Sequence, residues 1–436
     1  MLGLTRLFAL DRQRTAPTRE LLAGLTTFTT MSYIVVVNPA ILSAAGIPEG
    51  PSFVATVLVS AFGCYLMAFY ANRPFAIAPY MGENAFIAFT VCKVLGIPWQ
   101  TALAAVFLAG VLFVIMTVAH LRRWIVEAVP NSLRYSFAVG MGLFLTFIGL
   151  NESGLVRLGV PGAPVQTGLL NSPPVLVAIF GFLLLALLII RKVPGAILLG
   201  IVVTAVVAHL AKVTPAPQRL VSMPPALTPL LGQLDLRGAL AWRAFPVVLT
   251  IFIMAFVDTM GTLIGLSARA GFLDQDGHLP QIERPMLVDA VSTCVAPLLG
   301  TTTAGVFVES ATGIEAGGRT GLTALVTGTC FLLTLFFAPA VAAIPSIAYG
   351  PALIIVGLFM LAPIVHIDFT DYSESVPAFA VVTLMSFTFN IAIGICAGFV
   401  LYPVCKVVAG KWRQLRPGLL VLTAVSLLFF IFYPYH

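Results

Sequence analysis

Long apolar runs separated by short polar turns cover most of the chain. A transmembrane helix needs about 20 predominantly apolar residues. By that measure the pattern predicts fourteen spans, near residues 21–43, 52–71, 75–95, 99–120, 131–151, 174–190, 193–211, 246–268, 285–299, 301–318, 320–342, 346–365, 376–390 and 391–409. A polar, proline-rich stretch at 212–243 separates two groups of seven spans. A last apolar segment at 417–433 fits either a fifteenth span or an interfacial helix.

The tenth predicted span is interrupted by residues that break a helix. Five glycines lie in the segment 296–320, and residues 301–308 are rich in β-branched side chains. We expect a short strand that ends in mid-membrane, then a short helix that starts near Ser310, with Glu309 at the junction. Breaks at membrane depth are tolerated only where they are buried in protein or line a cavity. The break therefore predicts a pocket.

The two halves of the chain resemble each other. Residues 78–85 of the third span share a glutamate, a small polar residue and an alanine with residues 305–311 of the tenth, and Gly142-Leu143-Phe144 recurs as Gly357-Leu358-Phe359. Seven spans per half is an odd number, so the halves enter the bilayer from opposite sides. The pattern predicts an all-α polytopic membrane protein with a 7+7 inverted repeat and short antiparallel strands in broken spans 3 and 10. In that architecture the substrate site lies near the midplane, where the broken spans meet.

Composition excludes a soluble globular protein. Hydrophobic residues make up 59% of the chain and charged residues 9%, whereas soluble domains are about a quarter charged. The formal charge of +6 is explained by Lys and Arg in the turns of one face, which places the N-terminus in the cytoplasm. These turns hold Arg73, Arg122 with Arg123, Arg191 with Lys192, Arg269 with Arg284, Arg319, and Lys411 with Arg413 and Arg416, and the N-terminus holds Arg6, Arg12, Arg14 and Arg19.

This charge pattern favours a multi-pass protein of the plasma (inner) membrane, in contact with the lipid bilayer and not with nucleic acid. No cleavable signal peptide precedes the first span. The six cysteines lie in apolar segments without metal-ligand or redox spacing, so we interpret them as packing residues and predict no metal site.

Three acids fall at membrane depth in the predicted spans: Glu83, Asp258 and Glu309. An acid there costs roughly 2.5–3.5 kcal/mol, so it normally faces a cavity. A carboxylate beside the start of a half-helix offers acceptors next to free N–H donors, which suits a flat, neutral, polar heterocycle. Asn84, from the opposite half, can donate and accept in the same plane. The three acids are also candidates for proton coupling. The alternative is a structural acid that caps the short helix or pairs with Lys93 or Arg134.

Other polar and aromatic residues are candidates for lining the site. Asp258, Thr259 and Thr262 form a polar stripe that either lines the site or makes interhelical hydrogen bonds. Phe86 and Phe307 can sandwich a ring or belong to the core. Thr27 in the first span and Ser310 at the start of the half-helix are further candidates, although the first-span threonines also suit packing. We expect Asn38-Pro39 to end the first helix.

Several motifs together resemble a known family. They are GLTTFTTMSYIVVVNPAIL (24–42), MGENAFIAF (81–89), DTMGTLIG (258–265) and VESATGIEAGGRTGLTA (308–324). They closely resemble the AzgA-like branch of the nucleobase–ascorbate transporters (NCS2), the adenine, guanine and hypoxanthine permeases. The resemblance implies purine uptake coupled to H⁺, no cofactor, and in many cases a homodimer. By motif position it implies that Asn84 and Glu309 bind purine and that Asp258 is the acid of the DTxGTL motif.

The resemblance also implies a division into two domains. A core domain would contain residues 1–130 and 244–342, a gate domain residues 131–211 and 343–436, with an external connecting loop at 212–243. One departure is that Ala255 stands where many relatives carry a second acid. Glu83, where many relatives are apolar, is a candidate replacement.

Four other functions compete with proton-coupled purine import. A facilitator or Na⁺-coupled carrier, or a carrier of xanthine or uracil, fits the same motifs. An anion or sulfate carrier of related fold is disfavoured, because Glu309 and Asp258 would repel anions. A passive channel is disfavoured by the paired broken spans. An intramembrane enzyme would need paired catalytic groups, and Asp274 and Asp276 lie in a loop without a partner cluster.

Overall fold

The structure is a computed structural model that describes residues 7–11, 13, 15–119, 129–160, 163–215, 219–273, 279–388 and 390–432. Helices dominate these residues, and four short strands interrupt them. The predicted turn at Arg122 with Arg123, the N-terminal Arg6, Arg12 and Arg14, and the loop residues Asp274 and Asp276 lie outside the described residues.

One group of helices packs around the interrupted spans. It contains α1 (Pro17–Met31), α2 (Ile34–Ser43), α3 (Glu49–Leu66), α4 (Met81–Ala85), α5 (Trp99–Val118), α9 (Leu236–Leu240), α10 (Phe245–Ala270), α11 (Glu283–Leu299), α12 (Ser310–Glu315), α13 (Gly321–Thr334) and α14 (Ala338–Ala342). Two π-helical turns, Met67–Ala71 and Phe86–Val94, extend α3 and α4.

A second group of helices packs mainly on itself. It contains α6 (Asn131–Glu152), α7 (Pro173–Ile190), α8 (Ala196–Leu210), α15 (Ser346–Met360), α16 (Tyr372–Phe387), α17 (Ile391–Val408) and α18 (Pro417–Phe432). Glycines bring α6 and α15 together: a Cβ on Gly142 would lie 2.7 Å from the carbonyl oxygen of Gly357, and one on Gly149 would lie 2.6 Å from that of Gly350. Small residues permit such close backbone approach between membrane helices.

Nine helical segments in the described part of the chain are long and apolar enough to cross a membrane, and each falls on a predicted span. The chain is therefore a multi-pass membrane protein. The predicted spans at 193–211, 285–299 and 376–390 form helices of 15, 17 and 16 residues, and the last apolar segment, at 417–433, forms a helix of 16. The count of fourteen and the inverted repeat stay predictions.

The predicted breaks in the third and tenth spans are confirmed. The strand β1 (Ile77–Pro79) precedes α4, and β4 (Ala304–Val306) precedes α12, which starts at Ser310. The two strands pair antiparallel, with Ala78 opposite Gly305. Their backbone groups are thus satisfied by each other inside the bundle, as membrane burial requires.

Two features differ from the sequence prediction. Asn38-Pro39 does not end the first helix: Pro39 lies inside α2, and the helix is interrupted earlier, at Ser32 and Tyr33. Packing of α2 against α3 outweighs the local preference of the residue before a proline. A hairpin of β2 (Val156–Val160) and β3 (Ala163–Thr167) follows α6, where the sequence analysis placed only a connection.

Candidate functional site

The crossing of β1 and β4 is the centre of the candidate site. Hydrogen bonds continue the pairing on both sides of the strands, from Tyr80 N to Thr303 O at 3.1 Å and from Phe307 N to Ala76 O at 2.9 Å. The hydroxyl of Ser310 accepts a bond from Ala76 N at 2.9 Å. The first turn of α12 is therefore fixed directly to the strand of the opposite half.

Asp289 on α11 stabilises the crossing of β1 and β4 by hydrogen bonds. Its Oδ2 accepts hydrogen bonds from Val306 N at 2.8 Å and from the hydroxyl of Tyr80 at 3.0 Å. A Cβ on Gly305 would lie 2.3 Å from the Tyr80 hydroxyl and 2.4 Å from Asp289 Oδ2, so only glycine fits there. Asp289 has no exposed surface. The carboxylate of Asp289 therefore binds Val306, in the strand before α12, and also Tyr80, next to the start of α4.

Glu309 stands at the junction of β4 and α12, as predicted, and its side chain is half-buried. Its Oε1 accepts a hydrogen bond of 2.7 Å from the hydroxyl of Tyr33, at the interruption between α1 and α2. Its Oε2 is buried and has no hydrogen-bond partner among the residues that the structure describes. Its neighbour Val308 is 61% exposed, so the chain surface is open beside the acid. One carboxylate oxygen is thus held by Tyr33, and the other is a buried acceptor without a hydrogen-bond partner among the described residues.

Asn84 on α4 is fully buried, and both ends of its amide contact protein groups. It donates to Asn38 Oδ1 and accepts from the hydroxyl of Thr302. Asn38 in turn donates to Thr56 at 2.6 Å and to Thr301 at 3.0 Å. This network joins α2, α3 and α4 to the residues just before β4. A purine contact from Asn84 therefore requires the network to rearrange.

Glu83 and Asp258 are the other predicted acids. Glu83 is fully buried; its Oε2 accepts from the hydroxyl of Thr303 at 2.5 Å, and its Oε1 has no hydrogen-bond partner in the described part of the chain. Asp258 on α10 is half-buried. The next residue, Thr259, bonds to Ala255 O at 2.7 Å, and its hydroxyl lies 3.2 Å from that of Tyr80.

No ion pair neutralises these acids in the part of the chain that the structure describes. None of Glu83, Asp258, Asp289 and Glu309 lies within 4.0 Å of a charged Lys or Arg nitrogen there. The predicted alternative of pairing with Lys93 or Arg134 is therefore not seen; the Arg134 Nε donates to the carbonyl of Val129 instead. Unpaired acids at membrane depth are costly and typical of ion or substrate pathways.

The remaining predicted site residues have different surroundings. Phe86 is fully buried in the apolar core, and Phe307 is 5% exposed beside β4. Thr27 is buried, bonds to Ala23 O at 3.1 Å and packs against Gly313, where a Cβ would lie 2.0 Å from its hydroxyl. These contacts fit packing roles for Phe86 and Thr27, whereas Phe307 lies two residues before Glu309, at the end of β4.

Three residues at the site were missed in the sequence analysis: Tyr33, Tyr80 and Asp289. Asp289 lies only about four residues after Arg284 and Pro285. From the sequence alone it is therefore assigned to the polar loop before the helix. The signal that identifies it is the series Asp289, Ser292 and Thr293, which lies on one face of an otherwise apolar helix. Both tyrosines lie among apolar residues in the sequence. Their importance follows only from their hydrogen bonds, that of Tyr33 to Glu309 and that of Tyr80 to Asp289.

Asn84→Ala is expected to weaken substrate binding by roughly 1–3 kcal/mol, because the polar groups of the bound ring that the amide would pair with are left without a partner. The measurement is competition by unlabelled substrate in whole cells, at equal surface expression. Asn151→Ala, at the exposed end of α6, is the matched control. Unchanged affinity in Asn84→Ala would show that Asn84 does not take part in binding.

The fold and the site define a membrane transport protein: a multi-pass helical domain with two interrupted spans that cross at unpaired carboxyl groups. A family model described as "Permease family" matches residues 18–405. The chain belongs to the nucleobase–ascorbate transporter (NCS2) family, in its AzgA-like branch, and is a transporter rather than an enzyme.

Curated relatives match over nearly their whole length. The putative permease MJ0326 of Methanocaldococcus jannaschii is 44% identical, over 95% of this chain and 94% of its own. The adenine permease AdeP of Escherichia coli is 37% identical, over 99% and 97%. The guanine/hypoxanthine permease PbuO of Bacillus subtilis is 39% identical, over 98% and 99%.

A solved structure shares the fold. The transmembrane domain of the cyanobacterial bicarbonate transporter BicA superposes with a TM-score of 0.66 at 15% identity, and the match covers 87% of this chain and 96% of that one. At that identity the likeness concerns the fold alone.

Proposed function

We propose that this protein imports purine nucleobases (adenine, guanine or hypoxanthine) by secondary active transport coupled to H⁺. The observation that carries the proposal is Glu309: a half-buried carboxylate at the break before α12, with one oxygen bonded to Tyr33 and the other without a partner among the described residues. A nucleobase ring carries N–H donors and acceptors that match such an oxygen. Relatives named adenine permease and guanine/hypoxanthine permease support the substrate class.

Coupling to H⁺ is supported by the chemistry of the buried acids. Glu309, Asp258 and Glu83 each carry a carboxyl group without an ion-pair partner in the described residues, so each can take up and release a proton. A carboxyl group that binds its proton on one side of the membrane and releases it on the other couples the two fluxes. Glu83 would supply the acid that Ala255 lacks.

Alternating access requires two parts of the protein that move against each other, and the two helix groups are the candidates. We propose that the group with α6, α7, α8, α15, α16, α17 and α18 forms the gate domain, and that the group that contains β1 and β4 forms the core domain. Because each group packs mainly on itself, we propose that one moves against the other to expose the site alternately. The charge pattern of the turns supports a cytoplasmic N-terminus.

The test is uptake of radiolabelled adenine, guanine, hypoxanthine, xanthine and uracil by cells that lack their own carriers. We expect accumulation of at least one purine above the external concentration, and loss of that accumulation on addition of a protonophore. Accumulation that needs Na⁺ and survives the protonophore would replace H⁺ coupling by Na⁺ coupling. Equilibration without accumulation would indicate a facilitator, and uptake of uracil or xanthine alone would overturn the substrate assignment.

A further inference from the structure

Glu20, in the first turn of α1, is a buried acid to which the proposed transport function assigns no role. Its side chain has no exposed surface. No charged Lys or Arg nitrogen lies within 4.0 Å of its carboxylate among the described residues. A buried carboxylate without an ion-pair partner is costly unless hydrogen bonds satisfy both of its oxygens. The groups that donate to Glu20 therefore show what holds it there.

The hydrogen-bond partners of Glu20 lie in the turn between α12 and α13 and in the first turn of α13. Its Oε1 accepts from Arg319 N at 2.9 Å. Its Oε2 accepts from Thr320 N at 3.2 Å and from the hydroxyl of Thr323 at 2.6 Å. The first N–H groups at a helix start have no partner within the helix, and the helix dipole favours a negative charge there. Glu20 thus joins the start of α1 to the turn that follows α12.

The segment from Glu20 to Tyr33 also contacts α12 itself. The hydroxyls of Thr30 and Thr312 lie 3.0 Å apart, in the middle of the half-helix. At its start, the hydroxyl of Tyr33 donates to Glu309 Oε1 at 2.7 Å. One continuous piece of chain therefore contacts the half-helix at its start, in its middle and, through Glu20, in the turn after its end.

The half-helix depends on such contacts for its orientation. It is only six residues long, and a helix of that length is not stable on its own. The bond from Ala76 N to the hydroxyl of Ser310 fixes its first residue, and Glu20 fixes the turn after its last. Without Glu20 the half-helix is held mainly at its start, so its axis can tilt and displace the carboxylate of Glu309.

We propose that Glu20 is a positioning residue for the transport site: it holds the turn after α12 against α1 and so keeps Glu309 opposite the hydroxyl of Tyr33. The inference rests on the proposed function of Glu309 as the acid that binds substrate and proton. Glu20 acts on that acid through the half-helix and not by contact. It follows that α1 and the half-helix move as one body when one helix group moves against the other.

The test is the concentration dependence of purine uptake by Glu20→Gln, at equal surface expression. The amide has a single acceptor oxygen, and its NH₂ group would face an N–H or hydroxyl donor. We expect a KM roughly tenfold higher, because a hydrogen bond to a charged group is lost, and a maximal rate per transporter close to that of the unmodified protein. Glu49→Gln is the matched control, an identical substitution in the first turn of α3 at an exposed position, and its KM should be unchanged.

Thr323→Val is a milder variant that keeps the shape of the side chain and removes only its hydrogen bond to Glu20. We expect it to raise the KM less than Glu20→Gln does. It carries the same test if Glu20→Gln does not reach the membrane.

A double variant separates positioning from a general loss of stability. Glu20 and Tyr33 lie about 20 Å apart by the rise of a helix, and substitutions at that distance normally have additive effects. If Glu20 acts through the contact of Tyr33 with Glu309, Glu20→Gln should raise the KM much less in a Tyr33→Phe background than in the unmodified protein.

The inference is overturned if Glu20→Gln and Thr323→Val lower the melting temperature and leave the KM unchanged, or if the effects of Glu20→Gln and Tyr33→Phe on the KM multiply. It is also overturned if neither variant reaches the membrane, because Glu20 would then be needed for folding and not for positioning. These results leave purine uptake by the unmodified protein intact. Absence of that uptake would overturn the proposed function, and the inference with it.

Discussion

Glu309→Gln is expected to abolish concentrative uptake while leaving the amount of protein in the membrane unchanged. Glutamine keeps the shape of the side chain, and its Oε1 can still accept the hydrogen bond that Tyr33 donates at 2.7 Å. It cannot carry a proton, and it places an amide where the carboxylate presents an unpartnered oxygen. We expect the accumulation ratio to fall to about one, because a neutral amide leaves the substrate gradient uncoupled from the proton gradient.

The measurement is the steady-state ratio of internal to external labelled purine, with surface expression determined in parallel. Glu315→Gln is the matched control: Glu315 ends the same half-helix, but its side chain is 63% exposed and pairs with an exposed arginine, Arg269. That variant should accumulate purine normally, because an exposed ion pair contributes little. Undiminished accumulation by Glu309→Gln would remove the acid from the coupling mechanism.

Gly305→Ala is expected to remove transport by disrupting the strand crossing. The added methyl group would lie 2.3 Å from the hydroxyl of Tyr80 and 2.4 Å from Asp289 Oδ2. Both neighbours are buried and bonded to each other, so neither can withdraw without breaking a hydrogen bond. Overpacking typically costs about 1–3 kcal/mol, and loss of these bonds places this variant at the upper end, about 3 kcal/mol.

The measurements are uptake and the temperature at which the detergent-solubilised protein aggregates. Gly261→Ala is the control, because a Cβ at Gly261 on α10 has no neighbour within 4 Å. That variant should transport and melt as the unmodified protein does. If Gly305→Ala behaved in the same way, the close contact of β4 with Tyr80 and Asp289 would not be needed for the active conformation.

The backbone of the site was predictable because local residues determine it. Glycines and β-branched residues before Ser310, and Pro79 before α4, break their helices wherever the segments lie. The break before Ser310 and the start of α12 near that residue were predicted from these residues. At Pro39 the local preference does not decide, since packing around α2 keeps a helix where that preference opposes it.

The side-chain partners were not predictable, because they come from distant parts of the sequence. Asn84 and Glu309 were both identified by motif, yet their contacts are Asn38 and Tyr33, on the first span. Asp289 gains its role only when Tyr80 and Val306 meet it in three dimensions. A single sequence shows which segments are unusual, but not which of their polar groups face each other.

The pairing of β1 with β4 also has a consequence for biosynthesis. The two strands are separated by more than two hundred residues of sequence, and ribosomes add roughly 5–20 residues per second. The first strand therefore waits about ten seconds or longer in the nascent chain before its partner has been made. Completion of this two-stranded sheet must be a late step in maturation, after most of the polypeptide has entered the bilayer.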